Sequence, residues 1–260
     1  MIHLTNCFYS FDRRLSIYDD NTYILDLYKA SMITFFRTTG MKPNMYADTE
    51  TLKQLKNYYS EGIDISNKTF SHVDDLKIWI HTQNNLDCIT IDGDILFSQK
   101  LQFPNEYNTK VYFDVQEVKE LTPQFDSVNG YTTLRKLFQK YDVASHVENY
   151  NYDHHYACNV GILKFNCEKT KNLLIKSYYK IKEYFESNIK NDTSLSDKAI
   201  PSIILSQYYW GSICESQNIQ KTFLRNFNKY THLVSYHKFK EKNISKVYEI
   251  IKTETQSKLL

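Results

Sequence analysis

Apolar residues in this chain follow two spacings that take turns along its first half. Short apolar runs bounded by turn formers predict strands, and longer stretches with apolar residues three and four apart predict helices. Residues 2–9 are a short apolar segment and the first predicted strand. Residues 22–39 carry Ile24, Leu25, Leu27, Tyr28, Met32, Phe35 and Phe36 near helical spacing, and Gly40 stands as a C-cap. Residues 41–47 read as a second strand, after which Asp48 caps a helix over 49–59. A weak strand over 62–70 precedes a helix opened by Asp74 or Asp75, carrying Leu76, Ile78, Trp79 and Ile80 and broken at Asn84 and Asn85. Cys88-Ile89-Thr90-Ile91 then reads as a strand buried on both faces.

The second half is less regular. Residues 111–115 predict a strand and 131–141 a helix. Residues 157–165 predict a strand interrupted by Asn159-Val160-Gly161, a pattern that suggests close backbone approach by a ligand. Long helices are expected over 168–189 and 196–214; the latter has Ile200, Ile203, Ile204, Tyr208 and Trp210 on its apolar face and Pro201 in its first turn. Residues 230–238 form a short strand or loop, and 243–260 an amphipathic helix with Ile244, Val247, Ile250 and Ile251 on one side. Alternating strands and helices imply an α/β fold with a mostly parallel sheet, read as one domain over 1–242 followed by the helix at 243–260. Right-handed crossovers then bring every strand end to one edge, so Tyr9, Asp48 and Asp92 are expected along it.

The chain is organised around Asp92-Gly93-Asp94, where the buried strand stops in two carboxylates. Residues two apart on extended chain point the same way, and Gly93 leaves room between them. Two hard oxygen donors at a strand end make half of a divalent-cation site. The same letters also suit a surface turn. A calcium loop fails, because Leu96 and Phe103 fall where oxygen ligands are required. A phosphatase of the haloacid-dehalogenase kind, which also ends a strand in Asp-x-Asp, stays open on these letters.

Composition narrows the classes. With 260 residues and a formal charge of +2, without a long basic run, the chain is no dedicated nucleic-acid binder. The 22 tyrosines suit sugar and base stacking, although AT-rich coding enriches Tyr, Asn, Lys and Ile together. Cys7, Cys88, Cys158, Cys167 and Cys214 show no zinc spacing and read as reduced core thiols of a cytoplasmic protein. The first residues lack a secretion signal, and no apolar run approaches the ~20 residues of a membrane span.

Three segments in order carry a resemblance: Trp79 and the strand into Asp92-Gly93-Asp94-Ile95-Leu96-Phe97, then Asn159-Val160-Gly161-Ile162-Leu163, then Thr231-His232-Leu233 with Lys238 after it. Together they resemble GT-A glycosyltransferases, in particular retaining enzymes related to glycogenin and the lipopolysaccharide galactosyltransferases, and small bacterial capsular-type transferases. The resemblance implies a Rossmann-like nucleotide-sugar fold and a Mn²⁺ (or Mg²⁺) held by Asp92, Asp94 and His232, with Lys238 on the diphosphate. It implies a nucleotide-diphosphate sugar, usually a UDP-sugar, as donor, and a glycan, lipid-linked or protein acceptor. Tyr9, Ser10, Lys77, Asp92, Gly93, Asp94, Gly161 and Lys238 are the candidate donor contacts. Asn159 and Gln207 can hydrogen-bond sugar hydroxyls without adding charge. The chain departs from the pattern where the family has an acid-Gln pair; the nearest match is Ser206-Gln207, with Asp197 upstream, so Gln207, Asn159 and Asp197 are the candidate catalytic residues.

Alternatives stand beside this. His237 competes with His232 as third metal ligand, His154-His155 is a solvated loop or a ligand pair, and Lys77 is a donor contact or a solvated residue. The tail helix packs on the core, pairs with a second subunit or touches an acidic membrane surface. The phosphatase fold places its Asp-x-Asp on the first strand with an acidic pair later, whereas Asp19-Asp20 and Asp74-Asp75 both lie upstream. A sugar-binding module without catalysis is the other alternative.

Overall fold

The computed structural model describes residues 4–7, 21–70, 74–117, 127–148, 150, 156–189, 191–192, 199–233 and 240–257. In chain order these form β1 (Leu4–Cys7), α1 (Asn21–Thr39), β2 (Asn44–Ala47), α2 (Thr49–Gln54), β3 (Gly62–Asp64), α3 (Asp75–Gln83), β4 (Ile89–Asp92) and β5 (Ile95–Phe97). There follow β6 (Val111–Phe113), β7 (Gln116–Glu117), α4 (Ser127–Lys140), α5 (Val143–His146), β8 (Ala157–Cys158), β9 (Ile162–Phe165), α6 (Glu168–Tyr184), α7 (Ala199–Ser216), β10 (Lys221–Phe223), β11 (Tyr230–His232) and α8 (Glu241–Ser257). They group into two compact units, one drawn from residues 1–69, 88–102 and 227–260, the other from 70–87 and 103–226.

In the first unit the strands run β4-β1-β2-β3, all parallel. Parallel register puts Cys7 beside Asp92 and beside Tyr46, and Ala47 beside Asp64, so the strand ends share one edge. This is the edge at which open α/β sheets bind ligands. Asp48 follows β2 and caps α2, its Oδ1 accepting the Thr51 N–H at 2.9 Å and its Oδ2 the Thr51 hydroxyl at 2.7 Å. Gly40 closes α1 at φ 72°, a left-handed conformation that costs glycine nothing, with its N–H on the Phe36 carbonyl at 2.7 Å.

The apolar stripe of α1 is buried on both sides. Tyr23, Ile24, Leu27 and Ala30 pack with Leu96, Leu233 and Val247, while Met32 packs with Met45, Ala47 and Leu55. Ile244, Ile250 and Ile251 of α8 join the first cluster, and Arg37 reaches Glu254 at 3.3 Å. The tail helix therefore spends its apolar face on α1. Thr34, in the middle of α1, accepts the Phe97 N–H at 3.0 Å and so fixes β5 against this helix.

In the second unit β6 pairs in parallel with β10 and antiparallel with β9, while β7 pairs antiparallel with β8. The expected strand over 157–165 is thus two strands parted at Asn159-Val160-Gly161. The large core contains Phe113, Phe138, Leu163, Phe165, Leu174, Tyr178, Tyr208 and Trp210. Trp210 donates its indole N–H to the Leu174 carbonyl at 2.7 Å, which joins α7 to α6. The expected helix over 168–189 runs as α-helix to Tyr184 and then as a π-turn over Phe185–Ile189. The weak strand expected over 62–70 shrinks to three residues, because Ile65-Ser66-Asn67-Lys68 turns. Among the described residues no helix is long and apolar enough to cross a membrane.

Candidate functional site

Two constellations, one described in each unit, gather most of the described candidates. In the first unit, β4 delivers Asp92, and the turn at Gly93-Asp94 leads directly into β5. β5 pairs antiparallel with β11 so that Ile95 lies opposite His232. One further backbone bond, from the Leu233 N–H to the Asp94 carbonyl at 2.9 Å, extends that ladder to the acid itself. The pairing brings a late histidine onto the Asp-x-Asp turn.

His232 Nε2 lies 3.2 Å from Asp94 Oδ1 and 3.8 Å from Asp92 Oδ2, and one ligand atom from each residue falls within 4.8 Å of the others. The imidazole is buried, and the two carboxylates are partly open, which leaves one side of the trio accessible. Nitrogen and oxygen lone pairs at such distances can share a proton or a cation. Two hard carboxylates and one borderline imidazole fit Mn²⁺ or Mg²⁺, whose octahedral ligands at roughly 2.1 Å lie about 3 Å from one another.

Tyr28 of α1 borders the same acids. Its phenol is pushed up, first by burial and then by Asp94, Asp92 and Asp48. Tyr23, one helical turn and a residue earlier, is pushed up to about 12 by burial, Tyr248 and Asp94. Both residues therefore stay neutral hydroxyls beside the carboxylates. Helical spacing marked Tyr28 only as part of the apolar stripe of its helix, and did not mark Tyr23.

The second constellation lies in the second unit and joins Lys77, Asn159, Gly161 and Gln207 through two acids that the sequence did not mark. Lys77 of α3 is buried and donates to the Val160 carbonyl at 3.0 Å. Asn159 Oδ1 accepts the Gly161 N–H at 2.7 Å, and its Nδ2 donates to Glu117 Oε1 at 2.5 Å. Asp74, just before α3, leaves its helix uncapped and turns its Oδ2 to the Ser206 hydroxyl and, at 3.5 Å, to Gln207 Nε2. Its Oδ1 has no hydrogen-bond partner among the described residues. Burial pushes the Asp74 carboxyl up, against the opposing pull of Lys77, Ser206 and Gln207. An acid beside a glutamine does exist here, but it comes from another helix. Asp74 was legible only as one of two possible helix starts and as half of the Asp74-Asp75 pair, and Glu117 sits on a two-residue strand too short to show a period.

Tyr9, Ser10, Asp197 and Lys238, and the alternatives His154, His155 and His237, lie outside the described residues.

No protein-family model matches the chain. Among curated proteins, the chloroplastic acetyl-coenzyme A carboxylase carboxyl transferase subunit beta of Aethionema cordifolium is 28% identical over 144 residues, which is 52% of this chain. The match spans only 28% of that subunit's own length. Among solved structures, the apo form of mouse xyloside xylosyltransferase 1 is similar over 85% of this chain and 84% of its own, with 11% identity and a TM-score of 0.48.

Proposed function

We propose that this chain is a metal-dependent GT-A-type glycosyltransferase that moves a sugar from a nucleotide-diphosphate donor, a UDP-sugar, to a glycan, lipid-linked or protein acceptor. The observation that carries the reading is the meeting of Asp92, Asp94 and His232 within 4.8 Å at the ligand-binding edge of a parallel sheet. Three separate features produce it: a strand ending in an acid, a turn carrying the second acid, and a β5–β11 register that delivers the imidazole.

In this reading Asp92, Asp94 and His232 hold Mn²⁺ or Mg²⁺. When bound there, such a cation would supply Lewis acidity toward the diphosphate and would offset the charge that grows as the glycosidic bond breaks. Lys238 adds a point charge for phosphate. Asn159 and Gln207 orient sugar hydroxyls, and their neutral amides do so without opposing the positive charge that develops on the sugar ring. Transfer breaks the bond from the anomeric carbon to phosphate oxygen and forms one to the acceptor oxygen. The nucleotide diphosphate leaves with the electron pair and takes the acceptor proton, a course that needs no strong protein base and retains configuration. The free thiols of Cys88, Cys158, Cys167 and Cys214 are consistent with a reducing, cytoplasmic setting, at the inner membrane face if the acceptor is lipid-linked.

Thermal melting tests the reading, with UDP, GDP, CMP and ADP each present with and without Mn²⁺. A ligand at a hundred times its dissociation constant stabilises the fold by about 2.7 kcal/mol. The reading requires a Mn²⁺-dependent rise in Tm with one nucleotide, absent from the Asp92→Asn/Asp94→Asn double variant. No rise with any nucleotide at millimolar concentration would overturn it and direct attention to phosphomonoester hydrolysis.

A further inference from the structure

The geometry points to Glu117 as a positioning residue that sets the orientation of the Asn159 amide for a sugar hydroxyl, an inference that rests on the transferase reading. Glu117 lies on β7 opposite Ala157 of β8, two residues before Asn159, and is 1% exposed. Its Oε1 accepts the Asn159 Nδ2–H at 2.5 Å. On the other side of the amide, Oδ1 accepts the Gly161 N–H at 2.7 Å. The backbone of Asn159 is held as well, its N–H on the Val115 carbonyl at 3.0 Å and its carbonyl on the Asp114 N–H at 2.9 Å.

These partners have opposite polarity. A carboxylate only accepts and a peptide N–H only donates, so one of the two flip states of the amide is allowed. The flipped state would set Oδ1 against the carboxylate and NH₂ against an N–H. Each end of the amide keeps one hydrogen-bonding position beyond these two bonds, a second N–H on Nδ2 and a second lone pair on Oδ1, both with a fixed direction. That is what a group reading a sugar hydroxyl requires, since a hydroxyl both donates and accepts. Burying a carboxylate is expensive. A glutamine could offer the same acceptor at lower cost, with the Gly161 N–H still excluding the flipped Asn159 amide; the carboxylate adds a second partner that only accepts. Lys77 holds the same turn through the Val160 carbonyl at 3.0 Å.

The test compares the full chain with Glu117→Gln and Glu117→Leu by three readouts. The first is the side-chain amide resonance of Asn159, assigned by its loss in Asn159→Asp. The second is the affinity for UDP with Mn²⁺, and the third is turnover of UDP-sugars. A positioning role predicts one Asn159 amide proton far downfield and slow to exchange. That proton moves upfield in Glu117→Gln and exchanges freely in Glu117→Leu. Turnover in Glu117→Leu falls by on the order of tenfold to a hundredfold, as for a group misplaced by a fraction of its length. Nucleotide affinity holds within about twofold, and Glu117→Gln recovers most of the turnover. If Glu117→Leu does not fold, the Glu117→Gln resonance decides. An unmoved Asn159 proton in Glu117→Gln, or turnover and nucleotide affinity lost in parallel, overturns the inference. Absence of UDP-sugar turnover in the unaltered chain, with the Asn159 proton still governed by residue 117, sinks the transferase reading and leaves the positioning in place.

Discussion

His232 Nε2 stands 3.2 Å from Asp94 Oδ1 because β11 runs antiparallel to β5 in the register that sets His232 against Ile95. Removing either partner removes a ligand of the proposed cation. His232→Ala and Asp94→Asn should each weaken Mn²⁺ binding by more than about tenfold, since even groups behind the ligands cost 10–100-fold. Titration calorimetry with Mn²⁺ in the presence of UDP measures this. Thr231→Val, one residue away on the same strand, should leave the affinity unchanged.

Asp74 gives a pH signature. Burial raises its carboxyl in the folded chain above the ordinary value of 3.8. A raised acid contributes stability that is fully present below the unfolded value and is lost as pH rises through the folded one. Asp74→Asn keeps an acceptor for Ser206 and carries no charge. The variant should therefore melt at or above the unaltered chain at pH 7, with the difference vanishing below about pH 4. Asp74→Leu leaves the buried Ser206 hydroxyl without this partner and should cost about 1–3 kcal/mol. Melting curves from pH 3.5 to 8 separate the two.

His81 titrates in the opposite sense. It is buried edge-on against Phe165 at 5.0 Å, and burial, then Lys171, lowers it to about 3, against a backbone bond at Leu163 that raises it. A base held neutral in this way contributes stability above its unfolded value of 6.5 that is lost as pH falls towards 3. Acid unfolding should begin below pH 6.5, and His81→Phe should flatten that part of the profile.

Asp75 accepts two bonds from Lys182, at 2.7 and 2.8 Å, and one from the Tyr178 hydroxyl at 2.6 Å, all within the second unit. Asp75 is 5% exposed. Lys182 is half-buried and the Tyr178 hydroxyl buried, so Asp75→Ala, which takes this acceptor from both, should destabilise by about 1–3 kcal/mol in urea titrations. The double replacement Asp75→Leu/Lys182→Met should restore most of that loss, because well-packed apolar groups avoid the desolvation of both charges.

The alternation of spacings was enough to read the α/β class, the parallel first-unit strands, the capped helix after Asp48 and the strand broken at Asn159-Val160-Gly161. These features are local: each is written within a few residues by a cap, a glycine or a run of β-branched side chains. The acids Asp92 and Asp94 were legible for the same reason. His232 entered through resemblance to a family pattern, since its position depends on a pairing between β5 and β11 that neither three-residue strand announces. Asp74 and Glu117 were missed because what matters about each is a partner distant in sequence, Ser206 for one and Asn159 for the other. Asp74 also carried a sufficient local explanation, the start of a helix, which its side chain does not serve.

In the proposed function Asp92, Asp94 and His232 form one cation site used together with a nucleotide diphosphate. The most direct measurement is the paramagnetic resonance of Mn²⁺ titrated into the protein with and without UDP, because free Mn²⁺ gives a sharp signal that binding broadens away. One Mn²⁺ should bind per chain, more tightly with UDP present, and none at the same concentration in the Asp94→Asn/His232→Ala variant. Equal loss of signal in that variant and in the unaltered chain, or binding indifferent to UDP, would contradict it.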